Sequence, residues 1–216
     1  MHLTLLLALV VVVFVGGVAF ASRLTLADFG LRKEGLREGS VVLLAGYCGV
    51  QVLLLAVALF SGHGVHPGRA LTQPLGVVVG SIIAHVFVLS VIEEATFRGF
   101  LFRQCLVRTR APRSFRSYAS AAALAAIAFS LSHIPQRLFT GLHGSGLALE
   151  VCGLWMVGLL ATYLYVRSQN LMVVIALHAL SNQPAPLFAS PLPAQGAVGC
   201  IVLVMIVVFE LRQRSR

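Results

Sequence analysis

Between Ser90 and Arg103 the chain reads SVIEEATFRGFLFR, which sets Glu93, Glu94 and Arg98 into a run otherwise apolar enough to lie in lipid. A charged side chain at mid-membrane costs about 2.5–3.5 kcal/mol on insertion scales, so three within a turn and a half require a reason. Glu94 and Arg98 supply part of it, because an i,i+4 pair meets on one helical face. Glu93 points about 100° away and has no opposite charge one turn along, so its partner must come from another segment. Two later apolar runs offer candidates. FSLSH sets Phe129 and His133 four residues apart, and HALSN does the same for His178 and Asn182. A carboxylate and imidazoles around one wet cavity can activate water. An amide and an imidazole on one helical face can donate hydrogen bonds to a developing oxyanion.

The elements that must position these groups read as membrane spans. The 216 residues are 58% hydrophobic and 11% charged, with a mean hydropathy of +0.94, well above the apolar share of an average soluble domain. The fold class expected is all-α, a polytopic helical bundle of about seven transmembrane helices at residues 3–21, 41–60, 75–100, 117–134, 149–166, 171–188 and 195–210. No repeat or soluble insert interrupts it, so a single integral membrane domain over 1–216 is expected. The first run lacks the basic flank of a cleaved signal and reads as a retained span. With the N-terminus outside and the C-terminus inside, thirteen Lys and Arg fall in inner segments, two (Arg69 and Arg137) fall outside, and Arg98 lies within the membrane. The net charge of +9 therefore reads as a topology signal, with no basic face suited to nucleic acid.

Smaller features read as structural. Residues 22–40 mix acidic and basic groups and suggest an interfacial amphipathic helix. The alanine-rich ASAAALAAIA at 119–128 suggests close helix packing, and Pro184 and Pro186 should end the helix that carries Asn182. Cys48, Cys105, Cys152 and Cys200 have no metal or redox spacing and read as buried, inert thiols. His85 reads as structural or cavity-lining, and His63, His66 and His143 as solvated loop residues. Residue counting puts His178, Glu93 and His133 at about 10, 15 and 21–24 Å from the basic side, a loose match for one site. A surface helix over 111–120, with the span starting later, would tighten it.

Glu-Glu-x-x-x-Arg at 93–98, Phe-x-x-x-His at 129–133 and His-x-x-x-Asn at 178–182, in that order on separate apolar runs, resemble the three motifs of the CAAX protease and bacteriocin-processing (CPBP, or Abi) family of intramembrane endopeptidases. The type II CAAX prenyl endopeptidase is its best-known member. The resemblance covers about residues 75–190, leaving 1–74 and 191–216 as peripheral helices and loops. LADFGLRK at 26–33 also resembles a short element that many bacterial members carry before their core. The resemblance implies that Glu93 is the general base, that His133 holds and polarises the attacking water, and that His178 and Asn182 bind the oxyanion. Glu94 and Arg98 would support the site. It implies a membrane-anchored or lipid-modified peptide as substrate, and a setting in the bilayer of a bacterial inner membrane.

Glu93, His133 and His178 are also the ligand types of a catalytic zinc, but HExxH is absent and Asn182 is a poor zinc ligand, which favours a metal-free glutamate mechanism. The rival from another class is a non-proteolytic scaffold or proton-coupled carrier with the same polar core. A carrier should show repeat symmetry, and the sequence has none.

Overall fold

The computed structural model describes residues 13, 16–17, 25–108 and 114–214, with the side chains of Leu26 and of 212–214 excepted. The expected span at 3–21 therefore lies almost wholly outside the described residues. Among the described residues the structure is helical, with one isolated antiparallel bridge between Pro67 and Phe188. The helices are α1 (Leu36–Phe60), α2 (Arg69–Thr72), α3 (Leu75–Arg108), α4 (Phe115–Ser132), α5 (Ile134–Phe139), α6 (Gly144–Ser168), α7 (Leu171–Asn182) and α8 (Ala194–Arg214). Among the described residues five helical stretches are long and apolar enough to cross a membrane: Lys33–Phe60, Leu75–Arg108, Phe115–Phe139, Gly144–Ser168 and Ala194–Leu211. Large apolar side chains such as Leu44, Val52, Phe87, Leu124, Leu149 and Val207 face outward, as lipid rather than water permits. The protein is an all-α polytopic membrane protein.

Two compact units make up the fold. The first comprises residues 1–33 and 92–171, and the second 34–91 and 172–216. In the first, α4 and α6 pack closely along the alanine-rich seam. Ala121, Ala125 and Ala126 are buried there, and a Cβ on Gly158 would stand 2.9 Å from that of Ala126, so small residues set the approach. A capping box starts α4 at Ser114, whose hydroxyl accepts from the Ser117 amide. The helix runs unbroken from Phe115, so the surface helix expected over 111–120 is not present among the described residues.

The amphipathic helix expected over 22–40 is also replaced. Short 3-10 turns occupy Leu26–Phe29 and Lys33–Gly35, and Gly30 between them takes φ +83°, which a continuing helix excludes. The Thr25 hydroxyl and amide both donate to Asp28, and the hydroxyl contact above all holds that exposed carboxyl below its ordinary pKa. Arg103 fastens this turn by donating from Nη1 to the Asp28 carbonyl and from Nε to the Tyr165 hydroxyl, both at 2.8 Å. Phe29 is buried and stacks on Phe100, and its carbonyl presses so closely on Gly99 that no Cβ fits there.

In the second unit, α7 is 12 residues long, too short to cross the ~30 Å hydrocarbon core as the expected span 171–188 would. Its helix ends at Asn182, just before Pro184 and Pro186, as those prolines require. It needs no lipid-facing stripe, because Leu171, Val173–Leu177, Ala179 and Leu180 are all buried, leaving Met172, His178 and Ser181 partly covered and Asn182 exposed. Cys48, Cys152 and Cys200 are exposed and Cys105 half-covered. The thiols are thus not the buried groups expected: an apolar run on a membrane helix can face lipid as readily as core.

Candidate functional site

The two irregular turns of α3 flank the acidic pair. Residues Ala84–Leu89 and Ala95–Phe102 are wound as π-helix around the α-helical Ser90–Glu94. Such π-turns shift the register of a helix and recur at functional sites. Glu94 and Arg98 are both 1% exposed and form a 2.8 Å ion pair, the one expected from their spacing. Arg98 is further held by a 3.3 Å hydrogen bond to the Gly158 carbonyl and by the face of Phe129, 4.6 Å from its guanidinium carbon. A buried charge of this kind persists only when it is paired and its remaining donors are engaged.

Glu93 takes the other side of the helix and finds its partner on α4. Its Oε2 lies 3.8 Å from Nε2 of His133, with the two side chains 26% and 17% exposed. That distance is too long for a direct hydrogen bond and short enough for an ion pair, and one water can touch both atoms. His133 is fixed from behind. Its Nδ1 sits 2.8 Å from the Phe129 carbonyl, which makes Nδ1 the donor and leaves Nε2 as the nitrogen facing Glu93. Phe129 joins the two halves of the site, with its ring edge-on to Phe97 at 5.3 Å and 4.7 Å from the His133 ring. Glu93 and His133 thus meet at 3.8 Å, although residue counting set them at different heights. Near these groups, Arg137 and Glu150 form a 2.7 Å pair.

His178 and Asn182 belong to the second unit, one turn apart on α7, with His178 partly covered and Asn182 exposed at the helix end. Asn182 lines a partly open cavity of about 410 Å³. His85 bonds within its own helix, its Nδ1 2.8 Å from the Ser81 carbonyl, and His63, His66 and His143 are exposed. A zinc ion would need a third donor beside Glu93 and His133. The third such donor that the sequence offers, His178, belongs to the second unit.

Residue spacing did not disclose Gln51. It is buried in α1, its Nε2 donating to the Pro184 carbonyl at 3.3 Å and its Oε1 accepting from the Leu187 amide at 2.8 Å. A glutamine within VQVLLL was the available signal, since an amide in a span also needs partners. Arg69 and Gln73, which line the same cavity as Asn182, carried no motif at all.

Apolar helices that carry a carboxylate–imidazole pair beside a fully buried ion pair define a polytopic membrane protein with the parts of a hydrolytic centre. A family model described as type II CAAX prenyl endopeptidase Rce1-like matches residues 73–183, just over half of the chain. The chain belongs to this family of CAAX-type intramembrane endopeptidases. No curated protein and no solved structure shows significant similarity to it.

Proposed function

We propose that the protein is an intramembrane endopeptidase that hydrolyses a peptide bond near a prenylated or otherwise membrane-anchored segment through a glutamate-activated water. The approach of Glu93 to His133 carries this reading. Two groups able to move a proton face each other across 3.8 Å on helices that lipid would otherwise keep apolar, inside the region that the family model matches. Glu93 takes the proton of the water as it attacks the scissile carbonyl, and His133 orients that water through Nε2. His178 and Asn182 donate to the oxyanion, a role for which both have the donor chemistry. Glu94 and Arg98 hold the helix and fix the field beside the base. Asn182 has a purpose in this mechanism and none in a zinc site, so the reaction is assigned to the glutamate type.

A prenylated fluorescent peptide and the purified protein in detergent or vesicles test the assignment. Turnover should survive rigorous chelation with no zinc found by elemental analysis, and Asn182→Ala should lose about a hundredfold or more in kcat. Activity that disappears on chelation and returns with zinc would replace the glutamate mechanism with a metal one. The chain is further read as lying in a bacterial plasma membrane with its Lys- and Arg-rich segments on the inner side. A scaffold would retain its binding partners after loss of Glu93, whereas the enzyme loses turnover.

A further inference from the structure

LADFGLRK at 26–33 has no part in the mechanism above, yet its first half is seated on the helix that carries Glu93. The chain runs as a 3-10 turn over Leu26–Phe29 and reverses at Gly30, whose amide donates to the Ala27 carbonyl at 3.0 Å. Thr25 closes the turn from its other end, donating to Asp28 through both amide and hydroxyl at 2.7 Å each. Ala27 and Asp28 are exposed while Phe29 is buried, so a turn on the surface sends one ring inward.

The π-wound stretch Ala95–Phe102 of α3 receives that ring. Backbone, ring and guanidinium each hold the turn there. The Phe29 carbonyl rests on Gly99, where any Cβ would strike backbone atoms rather than the yielding end of a side chain. The Phe29 ring stacks on Phe100, with centroids 5.8 Å apart and planes 28° from parallel. Arg103, the next residue after the stretch, donates to the Asp28 carbonyl and to the Tyr165 hydroxyl at 2.8 Å each. It also lies over the Tyr165 ring, 5.7 Å from the centroid, and that ring sits edge-on to Phe102. Gly30 fills the corner so formed, where a Cβ would stand 3.2 Å from the Tyr165 hydroxyl and 3.4 Å from Nη2 of Arg103.

An i→i+5 turn carries one residue more than the i→i+4 turn it replaces, so it rotates the helix beyond it by about 100° relative to the helix before it. Glu93, 3.8 Å from His133, precedes the stretch, whereas Gly99, Phe100 and Arg103 lie within it or follow it. Were the stretch to return to α winding, Glu93 could keep His133, or the turn could keep Gly99 and Arg103, but not both. Helices favour the α form, so contacts from outside must hold the π form.

We infer that the Thr25–Gly30 turn is a clip that sets the register of α3, and that Phe29 is thereby a positioning residue for Glu93. The inference rests on the proposed function, which gives the clip its purpose: aiming the base at the water beside His133. Phe29 lies outside residues 73–183, so the family match assigns this turn no role.

Two readouts separate aim from stability. The first is turnover of a prenylated fluorescent peptide, where Phe29→Ala should lower kcat about tenfold to a hundredfold with KM within about twofold, the scale on which a small misplacement of a reacting group acts. Phe29→Leu should recover most of the loss. Gly99→Ala breaks the same contact from its other side, so the two losses should not add. If Gly99→Ala does not fold, Tyr165→Phe, which frees Nε of Arg103 and leaves the backbone untouched, should lower kcat about twofold to tenfold. The second readout needs no activity. In a background with Cys48, Cys105, Cys152 and Cys200 replaced by serine, Glu93→Cys with His133→Cys should be joined by a short bifunctional thiol reagent. Adding Phe29→Ala should cut that yield about fivefold or more by shifting the register population, while Arg137→Cys with Glu150→Cys, across α5 and α6, should join as before. Unchanged linking and unchanged kcat in a folded Phe29→Ala protein overturn the inference. A rise in KM at constant kcat also overturns it, by making the turn part of the substrate site, as does an equal loss of linking at both cysteine pairs, by making the turn a support of the whole unit. If the wild type cleaves no peptide while linking between positions 93 and 133 still depends on Phe29, the hydrolytic reading fails and the clip survives.

Discussion

The two units solve the problem of polar groups in an apolar protein in different ways. The first buries charge and cancels it locally, setting the Glu94–Arg98 pair against Phe129 and the Gly158 carbonyl. The second keeps charge out of its core, runs an almost wholly apolar α7 through it, and confines polarity to one end. There a glutamine, a tyrosine and a backbone strap absorb the carbonyls released by two prolines. The difference is one of stakes. A buried ion pair costs several kcal/mol when broken, whereas a network of neutral hydrogen bonds fails by increments.

Arg98→Ala should show the larger penalty. It leaves Glu94 buried without its cation, and a loss of about 3–5 kcal/mol is expected in reversible unfolding in detergent. A loss below 1 kcal/mol would mean that the pair is wet and that the contrast drawn here is false. Gln51→Ala comes next, at about 1–3 kcal/mol in total for the partners left at Pro184 and Leu187. Hydrogen exchange should quicken at Leu187 while amides along α4 and α6 keep their protection. The same exchange pattern in both units would erase the distinction. Arg137→Ala removes a pair whose members are 29% and 43% exposed, and should change stability by less than about 1 kcal/mol.

The first unit was largely legible in the sequence, because its logic is helical spacing. Glu94 meets Arg98 at i,i+4. Glu93, left without a partner on its own helix, finds His133 on another, and the alanine run becomes the tight seam with α6. The proline stop after Asn182 was legible for the same reason. What escaped was set by tertiary backbone contacts that periodicity does not encode. The 3-10 turns before α1 depend on the left-handed Gly30 and the arginine that fastens Asp28. The ladder that joins Gly68 and Ala70 to Leu187 and Pro186 depends on amide-to-carbonyl bonds between segments more than a hundred residues apart. The length of α7 escaped too. Hydropathy alone does not separate a short buried helix from a membrane span that continues through prolines.

The central claim is that Glu93 is the base, and the turnover of Glu93→Gln on a prenylated peptide tests it most directly. The substitution removes the proton acceptor and keeps the shape, and Glu93 lies outside the buried ion pair. A fall of a hundredfold to ten-thousandfold in kcat with an unchanged unfolding midpoint is predicted. Cleavage at the wild-type rate by a folded Glu93→Gln protein would contradict the account.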